Sequence, residues 1–461
     1  LAARTAELGF ELRERLTAQP EFVLDAETWI DPALHPAVAA LADPVTGLAA
    51  LDEAGAVKAA GPMAGSASSG TGPARSGPAL SPQRVENAGD TPKGDPSSSP
   101  GTPILLTSRP EGGVKPLAEA AAADPLALDD AEWVALLEAT GDDLDSLAAT
   151  ADDVRRYTVG EAVTLVVNRN LTSTGLRTTA STDPAAFTLD DVGAIAADAW
   201  DLGATEVCVQ GRLPGDVDPS GYLDIARAVK SAAPGIHLHA YRPQDVWDLA
   251  DRGGLGLNGA LAALREAGVD SVPGTGVKVL SERVRALVAP GDLEIDRWIE
   301  GITAAHRAGF RSTSVLFYGH VETAAERIAH LRRLRELQTA AGGFTEFVPI
   351  PLPGPQGGVP LVPGRGALDE HRAMVAVSRL LMSGSIPHIQ IPWTRVGRKA
   401  SVVLLQAGGD DLGGTLLDGR VKPEAGIEHG LELPVTDAAA LVAPLFRPFR
   451  LRTTTYGQVR A

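Results

Sequence analysis

The chain has 461 residues, with 58 Asp and Glu against 41 Lys and Arg and a formal net charge of -17 at pH 7. That balance repels a phosphate backbone, and no basic stretch offsets it, so nucleic acid is excluded as a partner. Cys208 is the one cysteine, which excludes an internal disulfide and any zinc or iron-sulfur site built from several thiolates.

Residues 1–55 carry Leu8, Phe10, Leu12 and Leu16 at helical spacing and then Trp29, Ile30, Pro32 and Leu34, too little for a core. Arg4, Glu7, Glu11, Arg13, Glu14 and Arg15 rule out a signal peptide there, and no run of the chain has the eighteen or so apolar residues of a membrane span. Cytoplasm, with no membrane partner, is the expected setting. Leu1 in place of Met points to a fragment of a longer protein. Residues 56–115 shift to Gly, Pro, Ser and Ala, and between Met63 and Ile104 the only branched aliphatics are Leu80 and Val85. Such a stretch buries too little apolar area to offset its ordering entropy and is expected to be a disordered linker.

From Pro116 to Ala461 short β-rich runs alternate with longer helical patterns. The expected strands are 163–167, 206–210, 236–241, 269–273, 312–318, 344–349, 388–391 and 402–406; the expected helices include 189–202, 219–232, 295–308 and 323–341. Alternation of this kind predicts parallel strands joined by helical crossovers, and about eight units close a (βα) barrel of TIM or partial-TIM type. Chemistry in such barrels sits at the strand C-termini. The loops to inspect therefore include Asn168 to Asn170, Gly211 and Arg212, Pro273 to Thr275, Tyr318 to His320 and Glu346 to Pro351. Trp200, Trp247 and Trp298 are expected to pack helices on the sheet, Arg332, Arg333 and Arg335 to form a solvated helix face, and Gly254-x-Gly256-x-x-Gly259 to be a turn rather than a dinucleotide fingerprint, since it follows a helical pattern.

Several stretches carry a more specific signal: Val166-Val-Asn-Arg-Asn170, Gly203-Ala-Thr-Glu-Val-Cys-Val-Gln-Gly211, Pro273-Gly-Thr275, Arg311-Ser-Thr-Ser314 with Tyr318-Gly-His-Val321, Gly342-Gly-Phe-Thr-Glu-Phe-Val-Pro349, His388-Ile-Gln390, Asp411-Leu-Gly-Gly-Thr415, Glu428-His-Gly430 and Arg452-Thr-Thr-Thr-Tyr456. In this order they resemble the second half of the bifunctional FO synthase family, and residues 1–55 resemble the tail of that family's first barrel. The resemblance implies a radical S-adenosylmethionine enzyme of coenzyme F(420) biosynthesis that couples tyrosine to 5-amino-6-ribitylaminouracil. It implies a 4Fe-4S cluster held by three cysteines spaced C-x3-C-x2-C after the first barrel strand. Substrate contacts are implied for Thr275, Tyr318, His320 and Glu346, and cofactor contacts for Asn168 and Gly211.

The sequence departs from that pattern where the cluster belongs. After Asn170 it reads Leu-Thr-Ser-Thr-Gly-Leu-Arg-Thr-Thr-Ala180, without cysteine, and Arg212 stands where the family has glycine. Cys208, inside an expected buried strand, is read as a small core residue. Radical activity of this chain is therefore expected to be impaired. Two alternatives remain. One is a cluster-less pseudoenzyme serving as a binding or interaction module. The other is a metal-dependent barrel hydrolase using His237 and His239, with His320 and Asp410 as further ligands.

Overall fold

Strands form where short β-branched runs are closed off by turns, and here they come in two parallel sheets. The computed structural model describes residues 23–29, 32, 35–45, 50, 113–177, 186–352, 367–417 and 432–459. The expected linker up to residue 112, most of residues 1–55 and the Glu428-His-Gly430 motif lie outside the described residues. The chain divides into two compact units, Leu1–Pro100 and Gly101–Ala461. In the first, helices Ala26–Trp29 and His35–Leu41 are described, with the His35 ring 2.9 Å from the Ala26 carbonyl oxygen.

Among its described residues the second unit carries ten strands: β1 (Val163–Val166), β2 (Asn168–Thr172), β3 (Glu206–Gln210), β4 (His237–Ala240), β5 (Ser271–Val272), β6 (Arg311–Tyr318), β7 (Phe344–Pro351), β8 (His388–Ile389), β9 (Asp411–Gly414) and β10 (Phe449–Arg452). Seven of them, β2 to β8, pair in sequence order as one curled parallel sheet, the partial barrel expected from the alternation. The other three form a parallel sheet in the order β10-β1-β9. This small sheet links the edges of the large one. On one side β1 runs into β2 through Val167, and on the other Gln390, just past β8, bridges to Asp411 of β9.

Two expectations about the strands change. Residues 402–406 are not a strand but the end of helix Arg398–Leu405. The β-branched pair Val402 and Val403 suggests a strand, yet the buried positions are Ser401, Leu404 and Leu405, one face of a helix. Asn168 to Asn170 is not a loop but the start of β2, paired residue for residue with β3 from Asn168 opposite Glu206.

The helices start and pack as their sequences dictate. Thr188 with Asp191 and Thr323 with Glu326 make capping boxes at the heads of Leu189–Asp201 and Ala324–Ala341. Helix Ile295–Arg307 buries Trp298, Ile302 and Ala305 on one face. A side chain the size of Ile302 contributes roughly 1.5–3 kcal/mol when fully buried. Trp200 departs from expectation, being 48% exposed, with its ring edge against Gly235. The arginine run is more than a solvated face: Arg332 donates to the Leu128 carbonyl, and Arg335 donates to those of Leu381 and Ser383. Gly254 and Gly256 take positive φ ahead of helix Gly256–Glu266, as a turn requires.

Candidate functional site

Strand period decides what the barrel interior offers. Along β3, Glu206, Cys208 and Gln210 point inward and line a cavity of about 240 Å³, while Val207 and Val209 between them pack in the core. By the same alternation β2 presents Asn168 and Asn170, β6 presents Thr313 and Val315, and β7 presents Glu346, Val348 and Ile350. Cys208 is thus buried but faces the cavity instead of the helix-packed core. Glycines let the walls close in. A Cβ on Gly274 would lie 1.9 Å from the Thr313 carbonyl oxygen, and one on Gly414 would lie 2.1 Å from Asn168 Oδ1. Both glycines belong to family-matching stretches whose backbones touch neighbouring strands.

At one wall the cavity holds a buried network of charges. Arg452, at the end of β10, reaches both oxygens of Asp411, at 2.5 Å from Nε and 2.8 Å from Nη2, and its Nη2 lies 3.3 Å from Glu346 Oε2. Thr164 donates to Asp411 at 2.5 Å, and the Gly413 N–H donates to its other oxygen at 2.6 Å. The Tyr456 hydroxyl donates to Glu346. Its ring lies between the Arg452 guanidinium, 4.1 Å from the ring centroid, and the stacked ring of His388 at 3.5 Å. His388 in turn meets Asp410 at 2.6 Å, and Arg379 meets Asp410 at 2.5 Å. Tyr456 holds this place with φ 63, an uncommon conformation for an aromatic residue that its surroundings over-determine.

Burial dominates the ionisation of these groups. It pushes the Glu346 carboxyl up to about 7, against the pull of Arg452 and with help from Asp411. Burial also works against the Arg452 charge, but Asp411, Tyr456 and Glu346 outweigh it and hold the guanidinium well above its ordinary value. His239, buried on the cavity wall, is driven down to about 3 by burial and then by Arg452.

Comparison with known proteins places this architecture. Residues 172–334 match the Radical SAM superfamily, and residues 342–460 match the CofH/MqnC C-terminal region. FO synthase of Streptomyces coelicolor is 40% identical over 483 aligned residues, which cover 100% of this chain and 55% of the relative. The 5-amino-6-(D-ribitylamino)uracil--L-tyrosine 4-hydroxyphenyl transferase 1 of Methanosarcina barkeri is 38% identical over 323 residues, covering 67% of this chain and 86% of that protein. The chain belongs to the FO synthase family. It corresponds to the C-terminal half of FO synthase and spans about half the length of those curated relatives. Among solved structures, methylornithine synthase (PylB) shares the fold at a TM-score of 0.54 and 18% identity over 72% of this chain and 97% of that one. The FeFe-hydrogenase maturase HydG from Carboxydothermus hydrogenoformans does so at 0.54 and 13%, over 74% and 80%.

Within this FO synthase-type barrel the family-implied residues separate into two groups. Asn168, Thr275 and Glu346 line the cavity. Thr275 donates to Gln210 Oε1 at 3.2 Å, and Asn168 donates through Nδ2 to Asn170 and accepts the Leu416 N–H at 3.0 Å. Tyr318 and His320 are not brought to the cavity with them. The Tyr318 hydroxyl meets His371 Nδ1 at 2.7 Å on helix Leu368–Met382. His320, fully buried, donates from Nε2 to the Phe317 carbonyl, with Nδ1 2.7 Å from the Glu322 carboxylate. Glu322 also accepts the Gly319 and His320 N–H groups and the Arg327 guanidinium, so it pins the turn that carries both residues away. Gly211, at φ 115, ends β3 with its N–H on Asp245 and its carbonyl on the Ser173 hydroxyl. Arg212 is exposed and ion-paired to Asp248 at 3.0 Å.

The Radical SAM superfamily implies a 4Fe-4S cluster and S-adenosylmethionine, and the residues present do not fit the cluster. From the last residue of β2 onward, Thr172 and Thr174 bond each other's hydroxyls and Ser173 bonds Gly211, so neutral oxygens stand where soft anionic ligands are needed. Cys208 is the chain's one thiol; burial, then Glu206, pushes it up to about 12, so it is a protonated thiol. The hydrolase quartet does not assemble either. His237 and His239 share the Ser271 hydroxyl at 2.7 and 2.6 Å, while His320 and Asp410 are engaged with Glu322 and with Arg379 and His388. Among the described residues no group of three or more His, Cys, Asp and Glu side chains is arranged to hold a metal ion, and no helix is long and apolar enough to cross a membrane.

Proposed function

We propose that this chain is the substrate-binding barrel of an FO synthase-type system in coenzyme F(420) biosynthesis, acting in the cytoplasm on 5-amino-6-(D-ribitylamino)uracil and tyrosine. In this reading it binds these compounds without generating a 5'-deoxyadenosyl radical, because its single cysteine cannot hold the cluster. The observation that carries the reading is the cavity wall: Asn168, Gln210, Thr275 and Glu346 set amide, hydroxyl and carboxyl groups around one small, partly open space. A uracil edge and a polyol chain need several convergent donors and acceptors of this kind. Burial raises the Glu346 carboxyl and so favours its protonated form, which can donate to a ligand carbonyl.

Isothermal calorimetry tests this. A few hydrogen bonds in a partly closed pocket support roughly 4–8 kcal/mol, a dissociation constant between about a micromolar and a millimolar. The ribityl-diaminouracil should bind saturably in that range and weaken several-fold in Thr275→Val and Glu346→Gln. S-adenosylmethionine should bind at least about tenfold more weakly, having lost the iron that would take its amine and carboxylate. If the diaminouracil does not bind at millimolar concentration, the reading is wrong.

A further inference from the structure

Arg395 is a cavity-lining cation that none of the described residues answers. It belongs to the four-residue helix Trp393–Val396 that follows β8, a helix anchored by the Trp393 indole N–H donating to the Gly414 carbonyl at 3.0 Å. Other buried arginines of the barrel are paired: Arg452 with Asp411, Arg379 with Asp410, Arg327 with Glu322 and Arg242 with Asp245. Arg447 and Arg285, which have no carboxylate in contact, donate to backbone carbonyls instead. Arg395 Nη1 is buried and has no hydrogen-bond partner among the described residues. Burial alone lowers the guanidinium to about 10, with no carboxylate raising it.

A guanidinium half out of water and unpaired is a costly arrangement unless something arrives to answer it. Its planar fork matches a carboxylate bidentately, and that match is better than with a neutral carbonyl. The other charged groups of the cavity sharpen the choice. Arg452 lines it as well but is already matched by Asp411 and Glu346, so Arg395 is the lining cation left to attract a ligand anion. We propose that Arg395 is the carboxylate-binding residue of the cavity and that its ligand is the carboxylate of an α-amino acid. This rests on the reading of the cavity as a site for tyrosine and the diaminouracil, and it adds which group of the amino acid is held and by what.

Two compounds separate the carboxylate from the rest of the molecule: 3-(4-hydroxyphenyl)propanoate keeps the acid and lacks the amine, and tyramine does the reverse. Titrated into the full chain by calorimetry, L-tyrosine and the propanoate should bind, and tyramine should bind at least about tenfold more weakly, a difference of about 1.4 kcal/mol or more. Arg395→Gln should bring both acids down to the tyramine level, with Arg395→Lys recovering part of the loss, while affinity for the ribityl-diaminouracil stays unchanged. Unfolding scans on each variant show whether it is folded. Equal binding of tyrosine and tyramine, no binding of either acid, or indifference to Arg395→Gln overturns the inference. Arg395-dependent acid binding without any diaminouracil binding leaves this inference standing and removes the uracil reading.

Discussion

Arg452 and Arg395 line one cavity under opposite conditions. Arg452 is held by two oxygens of Asp411, by Glu346 and by the face of Tyr456, so its charge is neutralised inside the fold. Arg395 has a buried, unpartnered Nη1 and no carboxylate acting on it. The same side chain thus serves two ends: in the first place it ties β7, β9 and β10 together, and in the second it waits for a group from outside. A charge already matched within the fold has little left to give a ligand, whereas an unmatched one has its whole interaction to offer.

Breaking the matched side should have the largest effect. Arg452→Met leaves Asp411 and Glu346 buried without their cation, and removing one partner of a buried pair costs about 3–5 kcal/mol. Urea unfolding should show a loss of that size, and a loss under about 1 kcal/mol would mean the network is not structural.

Next in size is a pH effect at Glu346. Its folded pKa of about 7 lies above the ordinary carboxylate value. The stability tied to its neutral form is therefore fully present below the unfolded value and is lost as pH rises through about 7. A shift of this size corresponds to roughly 3 kcal/mol. Between pH 5 and 8 the wild-type chain should lose stability relative to Glu346→Gln by up to that amount, and a difference that stays flat or grows in favour of wild type contradicts the assignment.

Tyr456→Phe removes one hydroxyl from the same network and should cost about 1 kcal/mol, the net worth of a single hydrogen bond. Smallest of all, Arg395→Gln should change stability by less than about 0.5 kcal/mol or raise it slightly, because no internal partner is lost. A loss comparable to that of Arg452→Met would erase the contrast between the two arginines.

Much of this barrel is legible in the sequence, and the exceptions have physical causes. Residues 206–210, 312–318 and 344–349 announce β3, β6 and β7 through their β-branched and aromatic content, and Thr188 and Thr323 announce helix starts through local capping. Local signals end there. Val402 and Val403 mislead because β propensity is weaker than the burial pattern of their helix. Thr275 and Glu346 can be singled out as strand-end polar residues, but Tyr318 and His320 look the same in sequence and are turned aside by Glu322 and His371. The Arg452 partners lie 41 and 106 residues away along the chain, at Asp411 and Glu346. The family-matching stretches name these residues individually, and only the fold shows that they meet. For Arg395 the sequence carries no signal, since what marks it is the lack of a neighbour.

The account proposes a barrel that keeps a ligand cavity but, with Cys208 as its one cysteine, cannot supply the thiolates of a 4Fe-4S cluster. Anaerobic reconstitution with iron and sulfide, followed by desalting, iron analysis and an absorbance scan, tests it most directly. The account predicts iron at background and no broad charge-transfer band near roughly 400 nm, with the ribityl-diaminouracil bound equally well before and after treatment. Four irons per chain together with that band would contradict it.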